Sequence, residues 1–209
     1  MLTKFKQKVQ QLLVSQARTV HKIGLTPNGV TAIGFALSSL AAVAYALVSQ
    51  TQPLWLLVAV VLLMASGFCD TLDGALARTF QQATPFGGFL DSLLDRYADA
   101  FVLAGVIISG EGIIISPTFS LVAGLAALAS SFMVSYSRAR AEAAGIKMES
   151  VGIAERPERM IVLAGASLAA IFWLPALGIG IVIIAVLATV TVLQRGIHAY
   201  KSFDRKRKV

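Results

Sequence analysis

Ile23 through Cys69 is a run of 47 residues without a single charged side chain. A membrane-crossing helix needs about 20 predominantly apolar residues, so this run is long enough for two crossings. Further uncharged runs cover 112–137 and 160–194. A soluble fold of 209 residues could not hide that much apolar surface, and 56% hydrophobic residues against 14% charged, with a mean hydropathy of +0.76, point the same way. In lipid the backbone must satisfy its own polar groups, which makes the expected fold an all-α polytopic membrane protein. Cys69 is the only cysteine, so no internal disulfide is available.

Punctuation along the chain divides it into six transmembrane helices preceded by an N-terminal amphipathic surface helix. Residues 2–20 place Leu2, Phe5, Val9, Leu12 and Leu13 at helical spacing among Lys4, Lys6, Lys8 and Arg18, the pattern of a helix lying along the membrane surface. This start is polar and basic, unlike a cleavable signal peptide. Thr26-Pro27 opens a first span to about 49, and Gln50-Thr51-Gln52-Pro53 breaks the chain before a second from about 53 to 80. Thr84-Pro85 opens a third to about 109, and Ser116-Pro117 a fourth that ends near Arg138–Glu149. A fifth starts near Arg156-Pro157 and ends at Trp173-Leu174-Pro175, and a sixth runs from about 176 to 198.

With six crossings, all 18 lysines and arginines fall on one side, and the opposite loops carry only Glu111. The positive-inside rule then puts both termini, and the charged helix ends with them, on the cytoplasmic face of the cell membrane. The expected organisation is an amphipathic juxtamembrane helix over 1–22, a six-helix domain over 23–200 and a basic cytoplasmic tail over 201–209. The tail sequence Arg205-Lys206-Arg207-Lys208 suits anionic lipid headgroups, and no nucleic-acid partner is expected.

Carboxylates inside a membrane helix are costly and point to function. Four of the eleven acidic residues fall within 26 positions. Asp70 and Asp73 are an i, i+3 pair and Asp91 and Asp95 an i, i+4 pair, so each pair shares a helix face. Four acids facing one another across two helices repel unless cations or protons intervene, and hard divalent cations prefer such all-oxygen ligands. Small residues beside them, Gly74, Ala77 and Gly87, would let a phosphate-bearing ligand approach the backbone.

The string Asp70-x-x-Asp73-Gly74-x-x-Ala77-Arg78, eight residues, Gly87, three residues, Asp91, three residues, Asp95 resembles the signature of the CDP-alcohol phosphotransferase family at every specified position. That resemblance implies a site with two Mg²⁺ or Mn²⁺ ions: Asp70, Asp73 and Asp91 as ligands, Asp95 near the metals and serving as general base. It further implies a nucleotide pocket with Asp73, Gly74, Ala77, Arg78 and Gly87, joined by Asn28 of Thr26-Pro27-Asn28. A CDP-lipid, either CDP-diacylglycerol or CDP-archaeol, would give its lipid phosphoryl group to an alcohol and release CMP. A homodimer is also implied. Asp99 continues the i+4 stripe outside the signature and reads as a partner for a nearby arginine.

Within that family, Ser135 to Glu142, Glu155-Arg156-Pro157-Glu158-Arg159 and Gln194-Arg195 look like the phosphatidylinositol-phosphate synthases of actinobacteria and the archaeal archaetidylinositol-phosphate synthases. The implied acceptor is inositol phosphate, with Ser135, Arg138, Arg156, Arg159 and Arg195 as candidate phosphate-binding residues, since arginine offers planar, bidentate recognition of phosphate. Arg138 stands where many bacterial members have lysine. Glu155 and Glu158 read as groups that orient the arginines. The alternatives are another acceptor such as glycerol phosphate, as in a phosphatidylglycerol-phosphate synthase, or, from a different class, a cation transporter. A transporter usually shows a repeated half-structure with acids near the midplane; no repeat is visible, and these acids lie toward helix ends.

Overall fold

A computed structural model describes residues 13–52, 54–148 and 151–207, with side chains through Asp204. Among these residues every regular element is a helix. The order is α1 (13–22), α2 (Pro27–Ala46), α3 (Leu54–Thr79), α4 (Pro85–Ser109), α5 (Pro117–Ala143), α6 (Arg156–Ala170) and α7 (Pro175–Arg207). The expected surface helix is described only from residue 13, and Leu2, Phe5, Val9 and Leu12 lie outside the described residues.

The Thr-Pro and Ser-Pro signals start helices for a common reason. Thr26, Thr84 and Ser116 are extended N-caps whose hydroxyls accept from the amides of Gly29, Gly87 and Phe119, each followed by proline where no amide donor is needed. The α4 end is closed by Gly110 in a left-handed conformation. The last helix differs from the expected span to about 198: it continues to Arg207, so residues 201–207 extend the helix. At 1.5 Å per residue its 33 residues measure about 50 Å, longer than the apolar slab of a bilayer.

Two groups of three helices make the body. One is α2 packed on both α3 and α4; the other is α7 packed on both α5 and α6; α3–α6 and α4–α5 contacts join them. Among the described residues α3 and α4 pack on α2 but not on each other, which leaves a gap between their facing sides. The core runs through the middle of the body around Tyr45, Leu56, Leu63, Leu103, Leu163 and Leu177. Polar pairs cross it: Ser38 and Ser66 hydroxyls are 2.5 Å apart, and Tyr45 Oη lies 2.8 Å from Ser167 Oγ. Such pairs in a membrane interior contribute about 0.6 kcal/mol each.

Four helices, α2, α3, α5 and α7, are long and apolar enough to cross a membrane. The surface exposes many large apolar side chains, among them Leu57, Val61, Phe101, Val122, Ile161 and Val186, as a lipid-facing surface does. On α1, Leu13, Ala17 and Val20 share a face packed against Leu72, Ala75 and Leu76 of α3, and His21 stacks on Phe80 at 3.8 Å.

Candidate active site

The gap between α3 and α4 holds the acids. One carboxylate oxygen from each of Asp70, Asp91 and Asp95 lies within 4.8 Å of the others. Asp73 lines the same cavity, but its Oδ2 accepts a 2.6 Å hydrogen bond from Thr31 Oγ1 and the residue is only 7% exposed. Of the four acids proposed from the sequence, then, three converge and the fourth is held at the edge by α2. Asp91 Oδ1 is buried without a hydrogen-bond donor. A buried carboxylate oxygen with no donor is costly unless a cation supplies the positive charge. An all-carboxylate donor set is the kind that Mg²⁺ and Mn²⁺ prefer, so the residues fit the expected metals.

On one side of this cluster a cavity of about 160 Å³ is lined by Asn28, Asp73, Gly74, Ala77, Gly87 and Asp91, together with Pro27, Thr31 and Thr84. The N-termini of α2 and α4 both border it, and the dipole of a helix N-terminus favours anions. Gly87 is tightly placed: a Cβ there would sit 2.9 Å from Asn28 Oδ1 and 3.0 Å from Thr84 Oγ1. Arg78 is the exception among the nucleotide candidates. It does not line the cavity; its guanidinium folds back along α3 over Gly74.

On the other side a cavity of about 230 Å³ brings together Ser135, Arg138, Arg156, Arg159 and Arg195, all five acceptor candidates, with Asp70, Asp95 and Asp99 on its wall. These residues come from the C-terminal end of α5, the start of α6 and the middle of α7. Arg195 is 2% exposed and donates from Nε to the Val151 carbonyl (2.8 Å), from Nη1 to the Val134 carbonyl (2.6 Å) and from Nη2 to Glu155 (2.8 Å). Arg159 donates to the Ala154 carbonyl and to Asp99 Oδ2 at 2.7 Å. Glu155 also lies 3.5 Å from Arg138, which in turn pairs with Glu142 at 3.0 Å. Glu155 thus orients two arginines as expected, whereas Glu158 is exposed. The segment leading into α6 is tied to α7: the Ala154 amide donates to Thr191 Oγ1, and Gly152, at φ +119°, lies where a Cβ would run into Thr191 Cγ2.

Residues 24–193 match the profile of the CDP-alcohol phosphatidyltransferase family. The chain belongs to that family. It is 40% identical to the archaetidylinositol phosphate synthase of Pyrococcus horikoshii, over 98% of this chain and 99% of that one. It is 38% identical to the phosphatidylinositol phosphate synthase of Mycolicibacterium smegmatis, over 89% and 82% of the two chains. Among solved structures it resembles the Mycobacterium tuberculosis phosphatidylinositol phosphate synthase with CDP-DAG bound, at a TM-score of 0.76 and 30% identity, covering 91% of this chain and 94% of that one. The same enzyme in complex with manganese and citrate aligns with a TM-score of 0.76. Membership makes the chain a CDP-alcohol phosphotransferase, a phospholipid-synthesising enzyme, and decides against the transporter alternative.

Two features of this transferase's site escaped the sequence reading. Thr31 is one turn beyond Pro27 on α2 and 42 positions from Asp73, and nothing in its local pattern distinguishes it from a helix-lining threonine. The Val134 and Val151 carbonyls that hold Arg195 are backbone groups, which no residue type announces. Asp99 carried a signal, the continued i+4 stripe, and it does partner both Arg156 and Arg159.

Proposed function

We propose that this enzyme transfers a lipid phosphoryl group from a CDP-lipid, CDP-diacylglycerol or CDP-archaeol, to inositol phosphate, with release of CMP. The observation that carries the reading is that Asp95 stands on the wall common to the acid-lined cavity and the arginine-lined cavity. A donor diphosphate on one side and a phosphorylated acceptor on the other would meet at that carboxylate. Three buried or half-buried arginines with an adjacent fourth offer more positive charge than an uncharged alcohol requires.

In this mechanism the small residues Gly74, Ala77 and Gly87, with Asn28, bind the nucleotide against the N-termini of α2 and α4. Arg78 would have to leave its place over Gly74 to reach it. Asp70, Asp73 and Asp91, with Asp95 beside them, would hold two Mg²⁺ or Mn²⁺ ions. When bound, such ions neutralise the diphosphate, orient it for in-line attack and stabilise the charge on departing CMP. Ser135, Arg138, Arg156, Arg159 and Arg195 hold the acceptor phosphate and so aim its hydroxyl at the donor. Asp95 takes the hydroxyl proton, the acceptor oxygen bonds to the lipid-side phosphorus, and the bond from that phosphorus to CMP breaks.

The same reading includes six crossings, with α4 and α6 spanning beside the four more apolar helices, the termini and site cytoplasmic, and a homodimer. It keeps 1–22 as a juxtamembrane helix, 23–200 as the catalytic domain and 201–209 as the basic tail. Its support is the one-sided distribution of lysine and arginine and the resemblance of the whole chain to the synthases. The deciding experiment supplies purified enzyme with CDP-diacylglycerol or CDP-archaeol and a panel of inositol phosphate, free inositol, glycerol phosphate and serine, and measures CMP. Release with inositol phosphate alone is the expected result; equal use of free inositol would sink the phosphate site, and preference for glycerol phosphate would establish the alternative acceptor.

A further inference from the structure

Arg156 stands between the acids and the other arginines of the site. It is the first residue of α6, and its side chain lines both the acid cavity and the arginine cavity. Its Nη1 lies 2.6 Å from Asp95 Oδ1 and 3.0 Å from Asp70 Oδ1, yet makes no directed hydrogen bond to either. Its Nε, by contrast, donates to Asp99 Oδ1 at 3.1 Å. One end of this guanidinium is anchored by a directed bond to Asp99, while the other is ion-paired with Asp70 and Asp95.

The other arginines of the cavity are held differently. Arg195 donates from all three of its nitrogens, Arg159 from both terminal nitrogens, and Arg138 pairs with Glu142 at an exposed position. Among the described residues Arg156 Nη1 is the one buried arginine nitrogen without a directed bond. Two of the three oxygen-bearing residues that converge for a cation, Asp70 and Asp95, are the ones it touches. An ion on those oxygens and Nη1 between them exclude each other, both by volume and by like charge.

We propose that Arg156 is a displaceable counter-ion, pivoting on Asp99, which a divalent cation drives off Asp70 and Asp95 into the acceptor cavity, so that metal and acceptor phosphate bind cooperatively. This rests on the metal and acceptor sites of the function proposed above. Asp99 is a positioning residue in the device: with Nε held there, a change at the distal torsions of Arg156 carries Nη1 from the acids into the cavity that the side chain already lines. The metal-loaded site then presents one more phosphate-binding group than the metal-free site, and acceptor binding follows metal binding.

The test measures Mn²⁺ and sulfate binding to the full-length, detergent-solubilised protein by calorimetry, with sulfate standing for the acceptor phosphate. Coupling between sites is reciprocal and is typically worth about 5- to 150-fold. Saturating Mn²⁺ should tighten sulfate binding by about tenfold, and sulfate should tighten Mn²⁺ binding by the same factor. Arg156→Gln should bind Mn²⁺ about tenfold more tightly than the parent and lose the coupling. Arg159→Gln removes an equal charge nearby, and should change Mn²⁺ affinity by less than about threefold. Direct contact between ion and anion would survive in Arg156→Gln, so coupling of the parental size in that variant overturns the proposal. Equal Mn²⁺ affinities in the two variants also overturn it. Should Arg156→Gln fail to fold, absence of coupling in the unaltered protein is sufficient to do so. Absence of Mn²⁺ binding altogether would instead undo the metal site itself.

Discussion

The acidic and the basic halves of the site are built in opposite ways. The acids come from two helices, α3 and α4, that both lean on α2, and all lie within 26 positions of sequence. Helical periodicity turns each pair to one side, and the packing of α3 and α4 on α2 then brings Asp70, Asp91 and Asp95 together. The arginines come from α5, α6 and α7 over 58 positions, from Arg138 to Arg195. Their guanidinium groups are aimed by backbone carbonyls of Val134, Val151 and Ala154 and by Glu155 and Asp99. The lesson is that a cluster of carboxylates can be largely specified by a short motif, whereas a cluster of long, flexible arginine side chains needs long-range partners to hold their direction.

The sharpest attack on this contrast is removal of the cation. Chelation should abolish CMP release and Mg²⁺ or Mn²⁺ should restore it, because the convergent carboxylates have no other means of binding a diphosphate. Activity that persists in excess chelator would leave the acidic half without its assigned role.

Next in size is a division within the acids. Asp95→Asn retains the volume but cannot accept a proton, and loss of general-base catalysis costs about 10² to 10⁴ in rate. Turnover should drop by that much while CDP-lipid binding stays near the parental affinity. Asp70→Asn should instead weaken the metal-dependent part of that binding. Calorimetry with and without Mg²⁺ separates them; matching losses would make Asp95 chiefly a ligand.

The basic half should respond in KM rather than in donor binding. Removing a charge-assisted hydrogen bond costs about 1.5–3 kcal/mol, so Arg195→Gln should raise the KM for inositol phosphate by roughly 10- to 100-fold with CDP-lipid affinity unchanged. Because Arg195 also ties down the Val134 and Val151 carbonyls, its variant should melt at a lower temperature as well. Arg138 is more exposed and already paired with Glu142, so Arg138→Gln should raise that KM by only about two- to fivefold. Parallel loss of CDP-lipid affinity in either variant would show that the two halves are not separate.

An effect of similarly small size is expected at Thr31. Thr31→Val removes the donor to buried Asp73 and should weaken metal-dependent CDP-lipid binding severalfold, with the acceptor KM untouched. A change in acceptor KM would mean that Asp73 communicates with the basic half after all.

Much of this protein could be read without coordinates. A capping hydroxyl followed by proline favours a helix start, because the side chain bonds a free amide and proline lacks one, and this is why the starts at Pro27, Pro85 and Pro117 follow from sequence. Uncharged runs of that length admit only helices in lipid, and the i, i+3 and i, i+4 spacing of the acids sets their common face. Tertiary structure alone decided that Asp73 is drawn to Thr31 while the other three acids converge, that Arg78 folds over Gly74, and that Arg156 bridges the two cavities. It also decided that α7 runs on to Arg207. The physical reason is range: capping and periodicity act within one turn or two of the chain, whereas the direction of a buried carboxylate or guanidinium is set by whichever donors and acceptors the packing of distant helices brings beside it.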